Sequence, residues 1–310
     1  MIATAPPPIL PGLPLAAGRT VSQTSGRAML IDAHHHFWQI ARGDYGWLTP
    51  ALGAIHRDFG PADLRPLTAR HGIGATILVQ AAPTVAETRF LLSIAAAEPS
   101  VAGVVGWADF DAPDAPAAIA ELAGNPLLVG LRPMVQDMAD DDWLARPDHA
   151  PAFEALERHG LVFDALVLPR HLPRLAAVAR RHPGLSIVID HLAKPPIAEG
   201  RLDPWRADMA ALAALPNVAC KLSGMVTEAA AGWTVDHLRP YADHVLAAFG
   251  PGRVLWGSDW PVATLAASYD DWVGATEALL AAMPPAERAA IRGGNAARLY
   301  LGRRGRPLRP

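Results

Sequence analysis

One cysteine, Cys220, stands among 310 residues, so no intrachain disulfide is possible, which suits a reducing cytoplasm. No apolar run approaches the roughly 20 residues needed to cross a bilayer. There is no basic excess either: 27 Lys and Arg face 30 Asp and Glu, for a formal net charge of -3. A nucleic acid or an anionic membrane would favour a basic stripe, so neither is expected as a partner. No GxGxxG follows the first apolar run, which argues against an open dinucleotide-binding sheet. Internal repeats and an interior linker are also missing.

What is present is apolar bulk. The chain is 51% hydrophobic and 18% charged, enough to bury one large core or two smaller ones. Residues 1–28 differ in kind. Pro6, Pro7, Pro8, Pro11 and Pro14 interrupt them, and no basic start precedes an apolar run. A secretory signal is therefore poorly supported, and a flexible, partly polyproline-like extension is expected. Met29 directly precedes the first strand and is the expected natural start. The folded region is expected over 29–301, with a short tail over 302–310.

From Met29 onward, nearly continuous apolar runs alternate with Ala- and Leu-rich stretches of helical period. The runs cover 29–32, 75–80, 101–109, 127–132, 161–167, 185–191, 217–223 and 253–259. Continuous rather than alternating hydrophobicity marks strands buried on both faces of a parallel sheet. The intervening helices are expected over 84–98, 115–124, 150–160, 172–184, 203–215 and 233–250, with another near 62–71. Eight strands, each followed by a crossover, predict an α/β fold: a single-domain (β/α)8 TIM barrel. The long connection from Phe37 to Gly74 is expected to shape the catalytic end, and two further helices after 268 to close the barrel.

Barrel chemistry belongs at the C-terminal strand ends. The first strand runs into Asp32-Ala33-His34-His35-His36-Phe37-Trp38. Strict alternation puts Asp32, His34 and His36 on one face and His35, expected to be structural, on the other. Two imidazoles so spaced can grip a metal ion, although a His run can also be a plain polar strand end. The other ends offer Gln80, Trp107 with Asp109, Arg132, Asp164, His191, Lys221 with Ser223, and Asp259. Each has a structural reading: Gln80 and Ser223 satisfying backbone groups, Asp164 capping or pairing with an arginine, Lys221 as a solvated end or an ion-pair partner, Asp259 forming a turn. Asp190 and His191 are expected on opposite faces. Together, His-x-His, a later His and a terminal Asp at strand ends make a set able to hold a divalent metal.

The segments IDAHHHFW, YGWL, HRDF, DLRP, VQA, GLRP, DHLAKP, CKLSG, LWGSDWP and GNAARLY resemble the amidohydrolase superfamily. More narrowly, they resemble its amidohydrolase-2 branch of sugar- and dicarboxylate-lactone hydrolases. The resemblance implies that His34 and His36 form the first-strand metal pair, that His191 is the sixth-strand histidine, and that Asp259 is both general base and metal ligand. It implies one divalent ion, zinc-like, although some members of the branch work without metal. The chain departs from the superfamily on strand five, where FDALVLPRH offers Asp164 and a distant His171 rather than a ligating Lys or His. A pair of metals bridged by a carboxylated lysine is therefore not expected.

The implied reaction is opening of a lactone to its hydroxy acid, with water activated by Asp259 and the oxyanion met by His191, Arg132 or Lys194. Arg132 could instead grip a substrate carboxylate. Gln80, Trp38, Trp107 and Trp260 are candidates for contacting sugar hydroxyls and ring faces. The implied partner is a small-molecule lactone, and the chain could form a homo-oligomer. A decarboxylase or aromatic-acid hydrolase of the same branch is the second reading, and a catalytically silent metabolite-binding barrel the third.

Overall fold

All eight apolar runs become strands. The computed structural model describes residues 29–302. The expected Pro-rich extension over 1–28, and the tail beyond its first residue, lie outside the described residues. The strands are β1 (Leu30–His35), β2 (Ile73–Val79), β3 (Val101–Gly106), β4 (Leu128–Leu131), β5 (Val162–Ala165), β6 (Ile187–Ile189), β7 (Val218–Leu222) and β8 (Val254–Trp256). Each pairs in parallel with the next, in the order β1 to β8. Closure comes just past β8, where His36 N–H donates to the Trp260 carbonyl at 2.7 Å and Asp259 N–H to the His34 carbonyl at 2.8 Å. The protein is a (β/α)8 barrel.

The crossovers run through α1 (Pro61–Arg70), α2 (Val85–Ala97), α3 (Ala115–Ala123), α4 (Ala150–His159), α5 (Leu172–Arg181) and α6 (Trp205–Ala213). A short α7 (Met225–Glu228) and the longer α8 (Val235–Phe249) follow β7, then α9 (Tyr269–Leu280) and α10 (Pro285–Ala289) follow β8. Local chemistry starts several of these helices. Thr84 Oγ1 accepts from Glu87 N–H at 2.9 Å ahead of α2, and Ser268 Oγ from Asp271 N–H at 3.1 Å ahead of α9. The C-terminal segment continues past α10 in wide-wound turns to Leu301. Gly293 passes so close to the backbone of Met29 that no Cβ could fit.

Inside the barrel, Ile31, Ala33, Ile77, Val79, Val105, Val129, Val162, Val188, Ala219 and Leu255 form one buried cluster with Leu299 and Tyr300 from the C-terminal segment. The larger cluster lies between strands and helices. Parallel strands therefore bury both faces, which is why their sequence showed no alternation.

The expected alternation along β1 fails at one point. Between Asp32 and His35 three steps along β1 match two along β2, from Thr76 to Leu78. This extra residue is a bulge, and it reverses the facing of the residues after it. Asp32 therefore points outward, where Oδ2 accepts from Tyr269 O–H of α9 at 3.1 Å and Oδ1 from Ser258 N–H at 2.8 Å. His34 turns inward, and the shared face expected for Asp32 with His34 and His36 does not form.

Candidate active site

Three imidazoles and one carboxylate converge where β1, β6 and β8 end. His34 Nε2 and His36 Nε2 are 3.2 Å apart, and Asp259 Oδ1 lies 3.6 Å from the first and 3.4 Å from the second. His191 Nε2 lies 3.8 Å from the same oxygen. Each ring is fixed from behind through Nδ1. His36 donates to the Val79 carbonyl at 2.8 Å, His191 meets Ser223 Oγ at 2.9 Å, and His34 lies 3.4 Å from Asp190 and 3.2 Å from Lys221 Nζ. Partners of this kind on the far nitrogen orient metal-ligating histidines.

The donor spacing itself tests the fit of an ion. A tetrahedral ion with bonds of about 2.0–2.2 Å separates its ligands by about 3.3–3.6 Å. The spacings within the set His34, His36 and Asp259 match that edge length. His35 faces away, with Nε2 2.9 Å from Thr76 Oγ1.

Backbone geometry delivers two of these groups at a cost. After β6 the chain leaves strand conformation, and His191, Leu192, Ala193 and Lys194 all adopt left-handed φ between 52° and 58°. Such a conformation costs about 1–2 kcal/mol per non-glycine residue. It turns the chain so tightly that Asp190 and His191, expected on opposite faces, both reach His34. Asp259 is also left-handed, at φ 57°. Room for the His191 ring comes from Gly224, where a Cβ would sit 2.5 Å from Nδ1. Residues held this way cluster at functional sites.

Burial governs the charges. Desolvation drives His34 well below its ordinary value and takes His191 down to about 4, so both rings are neutral near pH 7. Burial alone would raise the Asp259 carboxyl, but His191, His36 and His34 together hold it below the usual carboxylate range. Behind the imidazoles, Lys221 Nζ lies 2.5 Å from Asp164 and 2.9 Å from Asp190, all fully buried. Asp164 also accepts from Tyr300 O–H at 2.7 Å. The strand-five departure thus has a structural cause: Asp164 serves Lys221 rather than the cavity.

A cavity of about 190 Å³ opens above this floor, lined by His36, His191, Asp259, Arg132 and Lys194 among others. Arg132 Nη1 lies 3.4 Å from both His34 Nε2 and Asp190 Oδ2, and Nη2 donates to the Gln80 carbonyl. Gln80 is not on the wall. Its Nε2 donates to the Arg132 carbonyl at 2.7 Å. The other expected contacts also lie elsewhere. Trp38 is fully buried with Nε1 donating to the Arg57 carbonyl, Trp260 packs on Phe37 and Phe59, and Trp107 is fixed to Thr88 by its backbone. The aromatic ring on the wall is Trp47, whose Nε1 donates to the Ala81 carbonyl at 2.7 Å. Met134, Gln136, Asp137 and Thr227 line it too. The sequence signals available for Trp47 were the YGWL segment and its place in the long first connection.

The sequence model of the amidohydrolase family matches residues 31–301. The chain belongs to that family. It is 52% identical over 274 residues to an L-fucono-1,5-lactonase of Burkholderia ambifaria, across 87% of this chain and 94% of that one. An L-fucono-1,5-lactonase of Burkholderia multivorans is 42% identical over 287 residues, across 88% and 96%. A crystal structure of a Burkholderia multivorans amidohydrolase with bound zinc superposes with a TM-score of 0.84 at 42% identity, covering 88% of this chain and 99% of that one. No helix among the described residues of this amidohydrolase is long and apolar enough to cross a membrane.

Proposed function

We propose that this amidohydrolase opens a sugar-acid lactone to its hydroxy acid. The observation that carries the reading is the meeting of one carboxylate oxygen, Asp259 Oδ1, with Nε2 of three imidazoles at the floor of a small cavity. The likeness to two L-fucono-1,5-lactonases over most of their length supports it.

Asp259 accepts a proton from water, whose oxygen attacks the lactone carbonyl. The ring C–O bond then breaks, the ring oxygen leaves as a hydroxyl, and the acyl half leaves as a carboxylate with net release of one proton. An ionised Asp259 is available at every working pH, but its depressed pKa makes it a weak base. His34, His36 and Asp259 would hold one divalent ion, zinc by preference, which when bound supplies Lewis acidity and lowers the pKa of water. Arg132 is placed to meet the developing oxyanion. Its guanidinium lines the cavity beside His191 and Asp259. His191 stands on the other side of Asp259 and can pass the proton toward the leaving oxygen.

The test is acid release in weak buffer from a panel of aldono-1,4- and 1,5-lactones, with metal content measured on the same preparation. Acid release well above spontaneous opening is expected from at least one sugar lactone. Folded, metal-replete protein silent on the whole panel would overturn the reading.

A further inference from the structure

We infer that the Lys194–Glu228 pair is a specificity device that reserves the cavity for uncharged lactones and turns away those carrying a free carboxylate. The inference rests on the lactonase reading and concerns the rest of the substrate, away from the carbonyl that reacts.

Two cationic side chains line the cavity, Arg132 and Lys194. A substrate carboxylate would need one of them free. Neither is. Arg132 is committed to Asp190 and to the Gln80 carbonyl. Lys194 Nζ lies 3.7 Å from Glu228 Oε1, and both side chains are about one-quarter exposed. The left-handed turn that aims His191 also aims Lys194, and α7, which starts beside the His191 ring at Gly224, brings Glu228 to meet it. The remaining charges on the wall, Asp137 and Asp259, are acidic. Asp137 has the Gln136 amide at 3.3 Å as its side-chain partner, not a cation. The wall therefore offers a substrate carboxylate no uncommitted cation and sets Glu228 beside the one it would reach, a selection made by an unfavourable element rather than by a missing contact.

The experiment compares Glu228→Gln and the double variant E228Q/K194Q with the parent protein. An uncharged aldono-1,5-lactone and an aldarolactone with one free carboxylate are assayed for turnover, and galactarate binding is measured by calorimetry. In the parent, kcat/KM for the uncharged lactone should exceed that for the carboxylated one by about a hundredfold or more. E228Q should narrow that ratio and tighten galactarate binding, each by about tenfold, with a steeper salt dependence. The double variant should lose both gains. An unchanged ratio and unchanged galactarate affinity in folded E228Q overturn the inference, as does a parent that opens both lactones equally. Silence on both lactones counts against the lactonase reading alone, because galactarate binding still decides the role of Glu228.

Discussion

Lys221 on β7 stands 3.2 Å behind His34, on the side of the imidazole turned away from the cavity. The same ammonium compensates Asp164 and Asp190, so one buried cation supports two carboxylates and the orientation of one site histidine. Lys221→Met would strand Asp164 and leave Asp190 with Arg132 alone, 3.4 Å away. The expected cost is about 3–5 kcal/mol in urea unfolding, the usual penalty for stranding a buried charge. A loss under about 1 kcal/mol would show that the carboxylates are compensated in another way.

Asp259→Asn keeps the shape of the side chain but removes its capacity to accept a proton. Turnover should fall about a hundredfold or more while the melting temperature stays within a few degrees. Near-normal lactone opening by the folded variant would remove Asp259 from the role of base.

The bulge in β1 decides which of two adjacent histidines faces the cavity. After dialysis against zinc-containing buffer, the parent should retain about one ion per chain by elemental analysis. His36→Ala should retain far less, while His35→Gln, altered at the outward-facing ring that meets Thr76, should match the parent. Equal metal loss in both variants would contradict the opposite facing of the two rings.

Ala193 is buried within the left-handed turn. Ala193→Gly gives up a buried methyl and adds chain entropy, roughly 1–2 kcal/mol, but relieves about the same strain. Its unfolding free energy should therefore lie within about 1 kcal/mol of the parent. Ala193→Val adds a branched side chain to a conformation that disfavours it and should cost at least about 2 kcal/mol. Denaturant titrations ranking glycine below valine would refute the strain.

Glu87 supplies a pH dependence outside the catalytic set. Burial pushes its carboxyl up to about 7, against the lowering effects of Tyr45 O–H, Ala81 N–H and Arg42. A raised folded-state pKa stabilises the protein fully below the ordinary value of 4.5, and that contribution is lost as pH rises through about 7. Between those limits the parent should lose up to about 3 kcal/mol relative to Glu87→Gln. Parallel stability curves for the two proteins across pH 4–8 would rule this out.

The strands were legible because continuous apolar runs have few alternatives in a chain of alternating strand and helix. His34, His36, His191 and Asp259 stood out as polar ends to those runs, and the structure brings the four together. Individual facings were less visible. Asp32 turns outward because β1 carries one residue more than β2 can pair, a property of two strands that neither sequence displays. Trp38 and Trp260 looked like ring-stacking residues from their neighbours, yet each packs in an aromatic cluster while Trp47, from the long first connection, reaches the wall. The Glu228 contact with Lys194 joins loops after different strands, so no local pattern announces it. The left-handed run through DHLAKP was equally hidden, since none of its residues is glycine.

Barrel closure binds the first strand to the segment just past the last. Asp32 and Ser258 bond across 226 residues of chain, and His34 and His36 meet Asp259 and Trp260 beside them. During synthesis the histidines emerge at the start, while their carboxylate emerges near the end. Tyr300, which steadies Asp164 beneath them, comes later still. The four groups cannot meet until the chain is made through Asp259, so a nascent chain stopped short of β8 lacks the carboxylate of the centre.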